Sequence, residues 1–139
     1  MQAPSLVGLT LLYHDAIYDP QARDNEAASA GLARIDLVGL GMADRRIAEV
    51  EHLIHATDHR QKSAHPDAAA VIDIDLAILG AEAQAYRRYV DQVRQEYAHV
   101  DHHGWRTGRA QVLGHFLERS RLFTSGLLDE LEDPARRNM

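Results

Sequence analysis

Apolar residues recur along most of the chain with the period of an α-helix rather than that of a β-strand. Between positions 44 and 57, Ile47, Val50, Leu53, Ile54 and Thr57 share one arc of a helical wheel. His52, His55 and His59 occupy the nearly opposite arc. The pattern therefore predicts an amphipathic helix with one core face and one polar face.

The same reasoning, with caps and breakers, divides the chain into about six helices. We expect an all-α, single-domain helical bundle over residues 1–139. The predicted helices cover 4–15, 24–38, 44–57, a segment that begins at 66, 81–99 and 107–120, followed by a short C-terminal segment. Residues 101–105 are predicted to form a loop.

Two stretches are too apolar to lie on a surface, yet both carry ionisable side chains. Residues 9–20 contain the pair His14-Asp15, and residues 66–80 contain Asp73 and Asp75. A buried carboxylate is costly unless a cation or hydrogen-bond donor compensates it. Together the two stretches predict one shared polar site.

Composition limits the chemistry. The net charge of −6 argues against a nucleic-acid backbone as partner, and the absence of Cys excludes disulfides and Cys-ligated zinc. No apolar run approaches the ~20 residues of a membrane span, and the N-terminus lacks the basic region of a signal peptide. We therefore expect a cytoplasmic protein without a membrane partner. The count of 9 His raises a metal hypothesis without locating the metal.

Several motifs together resemble one family. They are LYHDAIYDP at 12–20, DNEAASA at 24–30, LIHAT at 53–57, DIDLAILGA at 73–81, Tyr86 with Tyr89, Glu96-Tyr97 and Gly108-Arg109. The set is similar to a small bacterial subgroup of the HD superfamily of predicted metal-dependent phosphohydrolases. The resemblance covers most of the chain, from about position 9 to about position 136.

The resemblance implies an HD-type fold and a metal site. It makes His14 and Asp15 the family's dyad and matches Asp75 to its later aspartate, with Asp73 and His59 as less favoured ligands. Imidazole and carboxylate ligands suit Mn, Fe, Co, Ni or Zn, and Mg where more oxygen ligands are present. We therefore expect one divalent ion whose identity the sequence does not specify.

The resemblance also assigns catalytic roles. Glu26 corresponds to an acid that helps to activate water, and Asp15 is expected to act beside the ion. Arg109, Arg106 and Arg34 are candidates to balance the charge of a substrate phosphate. The implied reaction is hydrolysis of a phosphomonoester or nucleotide by metal-activated water, with a small phosphorylated molecule as substrate.

One family feature is missing. The family's first ligand His lies on a helix upstream of the dyad, whereas thirteen residues precede His14 here and none is His. Another His, a second chain of a homodimer, or a degenerate site would account for the difference. The alternative function is therefore a non-catalytic HD-like module that binds metal weakly or serves in dimerisation.

Overall fold

The computed structural model describes residues 1–58 and 63–139. Within these ranges the chain forms helices and no strand, which confirms the all-α prediction. The described residues form seven α-helices: α1 (Pro4–Tyr13), α2 (Asn25–Gly39), α3 (Asp44–Ala56), α4 (Ala68–Asp75), α5 (Ala83–Glu96), α6 (His102–Leu117) and α7 (Glu132–Asn138). Short 3-10 helices cover Leu76–Gly80 and Asp129–Leu131.

Residue contacts group the chain into two compact units. The N-terminal unit is Met1–Asp75 and the C-terminal unit is Leu76–Met139. This division into units does not test the expectation of a single HD-type domain over residues 1–139, which stays a prediction. No helix of the described residues is long and apolar enough to cross a membrane.

The N-terminal unit packs α1, α2 and α4 around α3. The predicted core face of α3 is confirmed, because every residue on its arc is buried, whereas His52 and His55 on the other arc are exposed. The fully buried aliphatic side chains of this unit include Leu37, Ile47, Val50, Leu53, Ile54 and Val71. Burial of these side chains from water is the main favourable term for this unit.

The C-terminal unit is organised by polar contacts as well as by a smaller apolar set. Glu132, at the start of α7, accepts hydrogen bonds from the backbone N–H groups of Leu122 (3.0 Å) and Phe123 (3.1 Å). Asn138, at the end of α7, donates to the carbonyl oxygens of Leu79 (2.8 Å) and Ala81 (2.9 Å). These bonds attach both ends of α7 to its own unit.

The prediction for residues 101–105 was wrong. Helix α6 begins at His102 rather than at Thr107, because Asp101 caps it by accepting a hydrogen bond from Gly104 N at 2.7 Å. An aspartate that satisfies a free N–H of the first turn favours helix initiation. The cap outweighs the poor helix propensity of Gly104.

The segment from position 66 also differs from its prediction. Helix α4 begins two residues later, at Ala68, and gives way after Asp75 to the 3-10 helix Leu76–Gly80. Gly80 lies against the chain at Leu131, where a Cβ on the glycine would come within 2.7 Å of the Leu131 Cβ. A larger residue at position 80 would therefore force the two segments apart. Helix α5 is likewise shorter than predicted at both ends.

Candidate metal site

The His-Asp dyad lies in the turn that follows α1, not within the helix. Helix α1 ends at Tyr13, and the backbone N–H of His14 donates to the Thr10 carbonyl at 2.8 Å as the last helical bond. The predicted end at Asp15 was therefore two residues too far. Asp75 is the last residue of α4 and belongs to the same N-terminal unit.

The structure brings His14, Asp15 and Asp75 together. His14 Nε2 lies 3.1 Å from Asp75 Oδ1 and 3.4 Å from Asp15 Oδ2. One ligand atom from each residue lies within 4.8 Å of the others, the spacing expected around a single ion. The proximity predicted from the two apolar stretches is thus present.

The three side chains differ in exposure. Those of His14 and Asp75 are 17% and 23% exposed, whereas that of Asp15 is 65% exposed. The site therefore has two shielded groups and one carboxylate that reaches solvent. A ligand from solution would meet Asp15 first.

The second ring nitrogen of His14 has its own backbone partner. His14 Nδ1 lies 2.9 Å from the Leu11 carbonyl oxygen, so Nδ1 carries the hydrogen in that bond. Metal-binding histidines usually donate their other ring N–H in this way, which fixes the tautomer and the ring orientation. The donor set of one imidazole nitrogen and two carboxylates thus fits a divalent first-row ion.

The carboxylates hold a proton on His14. The hydrogen bond to Asp75 raises the pKa of His14 from 6.5 to about 9, although burial acts in the opposite direction. The charges of Asp75 and Asp15 raise the pKa further. At neutral pH His14 is therefore protonated and faces the carboxyl groups of Asp75 and Asp15.

Two reciprocal hydrogen-bond pairs hold the segment that follows the dyad against α2. Ser29 Oγ accepts from Ile17 N and donates to Ile17 O, each at 3.1 Å. Asn25 Oδ1 accepts from Asp19 N, and Asn25 Nδ2 donates to Asp19 O, each at 2.9 Å. We call these two pairs the loop clamps. They explain why polar residues occur within the motifs at 12–20 and 24–30.

The other ligand candidates lie elsewhere or outside the described residues. Asp73 is fully buried on α4 but is not part of the cluster that contains Asp75. His59 falls in the segment 59–62, outside the described residues. Glu26 lies in the first turn of α2, within the same unit, and it too is absent from the cluster.

The three arginine candidates have different surroundings. Arg34 forms an ion pair with Glu51, in which Nε donates to Oε1 at 2.7 Å and Nη2 donates to Oε2. Arg109, in the C-terminal unit, places its Cζ 5.4 Å from the centre of the Tyr89 ring and has Nε and Nη2 buried without an acceptor. Arg106 is exposed on α6 beside an open surface depression. Their phosphate-binding role stays a prediction.

The sequence reasoning missed the supporting groups of the site. The Leu11 carbonyl bond leaves no side-chain signal, because any residue at position 11 offers a carbonyl. Ser29 did leave one, because a hydroxyl within an alanine-rich stretch on the buried face of a helix needs a partner. That requirement would have pointed to a nearby loop.

Comparison with known proteins found no matching family model, no matching curated protein and no matching solved structure. The resemblance to the HD superfamily therefore rests on the motifs.

Proposed function

We propose that the chain binds one divalent metal ion at His14, Asp15 and Asp75 and hydrolyses a small phosphate ester there. The convergence of these three side chains within 4.8 Å carries the proposal. A bound divalent ion supplies a polarised phosphoryl oxygen and a water of lowered pKa. The motif resemblance to the HD phosphohydrolases supports the choice of phosphate ester as the substrate class.

The protein's own groups have distinct tasks in this proposal. His14 and Asp75 are shielded and oriented, so they hold the ion in a fixed place. Asp15 reaches solvent, so it can accept a hydrogen bond from a water that approaches the phosphorus. Glu26 remains the proposed further acid, acting on that water from the first turn of α2.

The alternative proposal is a non-catalytic helical module. It is favoured by the ion pair between protonated His14 and Asp75, because that pair already compensates one carboxylate without a metal. An ion must displace the Nε2 proton before it can bind, which weakens its apparent affinity at neutral pH. Three protein ligands also constrain the geometry less than four.

The first test is metal content, followed by activity. Wild-type protein purified without chelator is measured by elemental analysis and titrated calorimetrically with Mn²⁺, Ni²⁺ and Zn²⁺. We expect about one tightly bound ion per chain in the wild type and none in His14→Ala. The control is His55→Ala, because His55 is an exposed histidine of the same unit on α3.

Hydrolysis of phosphomonoesters and nucleoside monophosphates is then measured on the metal-loaded protein. Turnover that disappears in Asp15→Asn, while His55→Ala remains active, supports the hydrolase. Stoichiometric metal without turnover on any phosphate ester supports the non-catalytic module. No bound metal in the wild type at any tested concentration would overturn the hydrolase and leave the non-catalytic module.

A further inference from the structure

Helix α2 has an apolar face on the side opposite its buried face. Its buried residues are Ser29, Ala30, Ala33 and Leu37. On the far side, Ile35 is 71% exposed and Val38 is 54% exposed. Large aliphatic side chains grouped in this way are typical of an interaction surface rather than of a solvated helix face.

The outer face carries no charge between positions 27 and 38. At 100° per residue its members are Ala27, Ala28, Gly31, Ile35 and Val38, with Leu32 at one edge. We call this set the α2 outer strip.

The charged residues that border the strip are already engaged within the chain. Arg34, at one edge, is paired with Glu51. Asp36, at the other edge, accepts a hydrogen bond from the Tyr13 hydroxyl at 3.1 Å. A highly charged partner would therefore gain little here, and an uncharged, apolar partner surface fits better.

The strip is asymmetric along its length. Its N-terminal half is small, with Ala27, Ala28 and Gly31, and its C-terminal half is large, with Leu32, Ile35 and Val38. A Cβ added at Gly31 would meet no atom within 4 Å, so a notch is open at the middle of the helix. A partner must present large side chains opposite the small half and small ones opposite the large half.

A second copy of the same helix, run antiparallel, has that shape. We propose that the α2 outer strip is the interface of a homodimer in which two α2 helices pack antiparallel about a twofold axis near Gly31 and Leu32. In this register Ala28 of one chain faces Ile35 of the second copy, and the reverse contact is identical by symmetry. A parallel pair would oppose large to large and small to small, and would leave gaps.

The size of the strip indicates a weak dimer. A 15-residue helix is about 22 Å long, and its contact with one other helix falls below the ~800 Å² per partner of a standard interface. Association is therefore expected in the micromolar range or weaker.

Analytical ultracentrifugation over a wide concentration range tests the interface. We expect the wild type to shift from monomer to dimer and Ile35→Glu to weaken association at least about tenfold. The matched control is Val112→Glu, because Val112 is also an exposed β-branched residue, 48% exposed on α6. A wild type that stays monomeric up to about 1 mM, or equal weakening in both variants, would overturn the proposal.

Gly31→Leu separates shape from general hydrophobicity. Leucine raises helix propensity and adds apolar surface, and the open space at Gly31 tolerates it in the monomer. The proposed packing nevertheless requires the notch, so this variant should associate more weakly than the wild type. Stronger association would show that the strip associates through general hydrophobicity rather than through shape, and would overturn the antiparallel packing.

Cysteine cross-linking reads the orientation directly, because the chain has no Cys of its own. In a mixture of Ala28→Cys and Ile35→Cys proteins, antiparallel packing predicts a disulfide between the two variants. Parallel packing predicts that each variant cross-links with itself. Self-cross-linking, or the absence of any cross-link at concentrations where the dimer forms, would refute the register.

Discussion

The polar clusters at His14 and at Glu132 contain similar side chains but differ in what those side chains contact. In the C-terminal unit, Glu132 receives two backbone N–H groups and Arg136 Nε at 2.8 Å. Arg136 directs further N–H groups at the carbonyl oxygens of Leu117 and Arg119. Arg136 therefore balances the charge of Glu132, and both side chains hydrogen-bond to nearby backbone groups.

The cluster in the N-terminal unit is arranged differently. Two carboxylates converge on a single imidazole nitrogen, and one of the carboxylates is largely exposed. The comparison shows that short contacts between charges do not by themselves mark a functional site. The cluster at His14, which is partly open to solvent, is the candidate for ligand binding, whereas the cluster at Glu132 holds backbone segments together.

The largest expected effect separates the two clusters by metal affinity. Asp75→Asn should lower metal affinity at least about 100-fold, because it removes a charged ligand and its support of His14. Glu132→Gln, the matching substitution in the C-terminal cluster, should leave metal affinity unchanged. Calorimetric titration of both variants measures the difference, and equal losses would mean that the two clusters are not functionally distinct.

The free energy of unfolding should distinguish the two clusters in the opposite direction. Arg136→Ala should lower the free energy of unfolding by about 2 kcal/mol, because it removes the counter-charge of Glu132 and the donors to backbone carbonyls. Arg137→Ala, at the exposed neighbouring position, should change it by less than about 0.5 kcal/mol. Urea denaturation followed by circular dichroism distinguishes the two, and identical midpoints would remove the structural role given to Arg136.

The cluster of Glu132 and Arg136 should also make the free energy of unfolding depend on pH. Burial raises the pKa of Glu132, but bonds from Phe123 N, Leu122 N and Arg136 outweigh it and leave the pKa below its ordinary value of 4.5. A carboxylate with a lowered folded-state pKa stabilises above its unfolded pKa and loses that contribution as pH falls through the folded pKa. Wild-type stability should therefore decline below about pH 4.5, in part through this group.

Glu132→Gln tests that assignment. The variant should be less stable than the wild type at pH 7. The gap should narrow as pH falls from about 4.5 toward the lowered folded-state pKa of Glu132, because Glu132 becomes protonated there while glutamine is neutral at every pH. Urea denaturation at pH 7 and at about pH 3.5 gives the two gaps. A gap that is constant with pH would show that the charge of Glu132 is not what stabilises the unit.

The smallest expected effect concerns the loop clamps. Ser29→Ala should cost about 1 kcal/mol of stability, because it leaves both backbone groups of Ile17 without their partner. It should also lower metal affinity about tenfold, since the turn that carries His14 is held less firmly. Ala27→Ser, on the outer face of the same helix, is the control and should change neither quantity appreciably.

The sequence predicted most of what depends on periodicity. The buried arc of α3 and a polar site shared by the stretches at 9–20 and 66–80 followed from apolar patterns that could not face water, and the motif resemblance pointed to Asp75 rather than Asp73. The start of α6 did not follow, because the capping bond of Asp101 competes with unfavourable residues after it, and propensity alone cannot rank the two. Element ends are the least determined part of such a pattern.

The contacts that support the two clusters were even harder to predict from the sequence. Leu11 acts on His14 through its carbonyl, which every residue shares, and Glu132 acts on Leu122 N, ten residues earlier in the chain. Such contacts depend on how turns bring the chain back on itself rather than on residue type. The sequence therefore indicated which residues could form the cluster but not what holds them in place.

The position of the dyad in a turn has a consequence for how long the cluster keeps its arrangement. The amides of Ile17 and Asp19 donate to Ser29 and Asn25, so both become accessible to solvent only when the turn opens. Such local opening requires far less free energy than unfolding of the helical core. Hydrogen exchange at these two amides therefore measures how often the turn opens, and with it how often the proposed metal site loses the arrangement of its side chains.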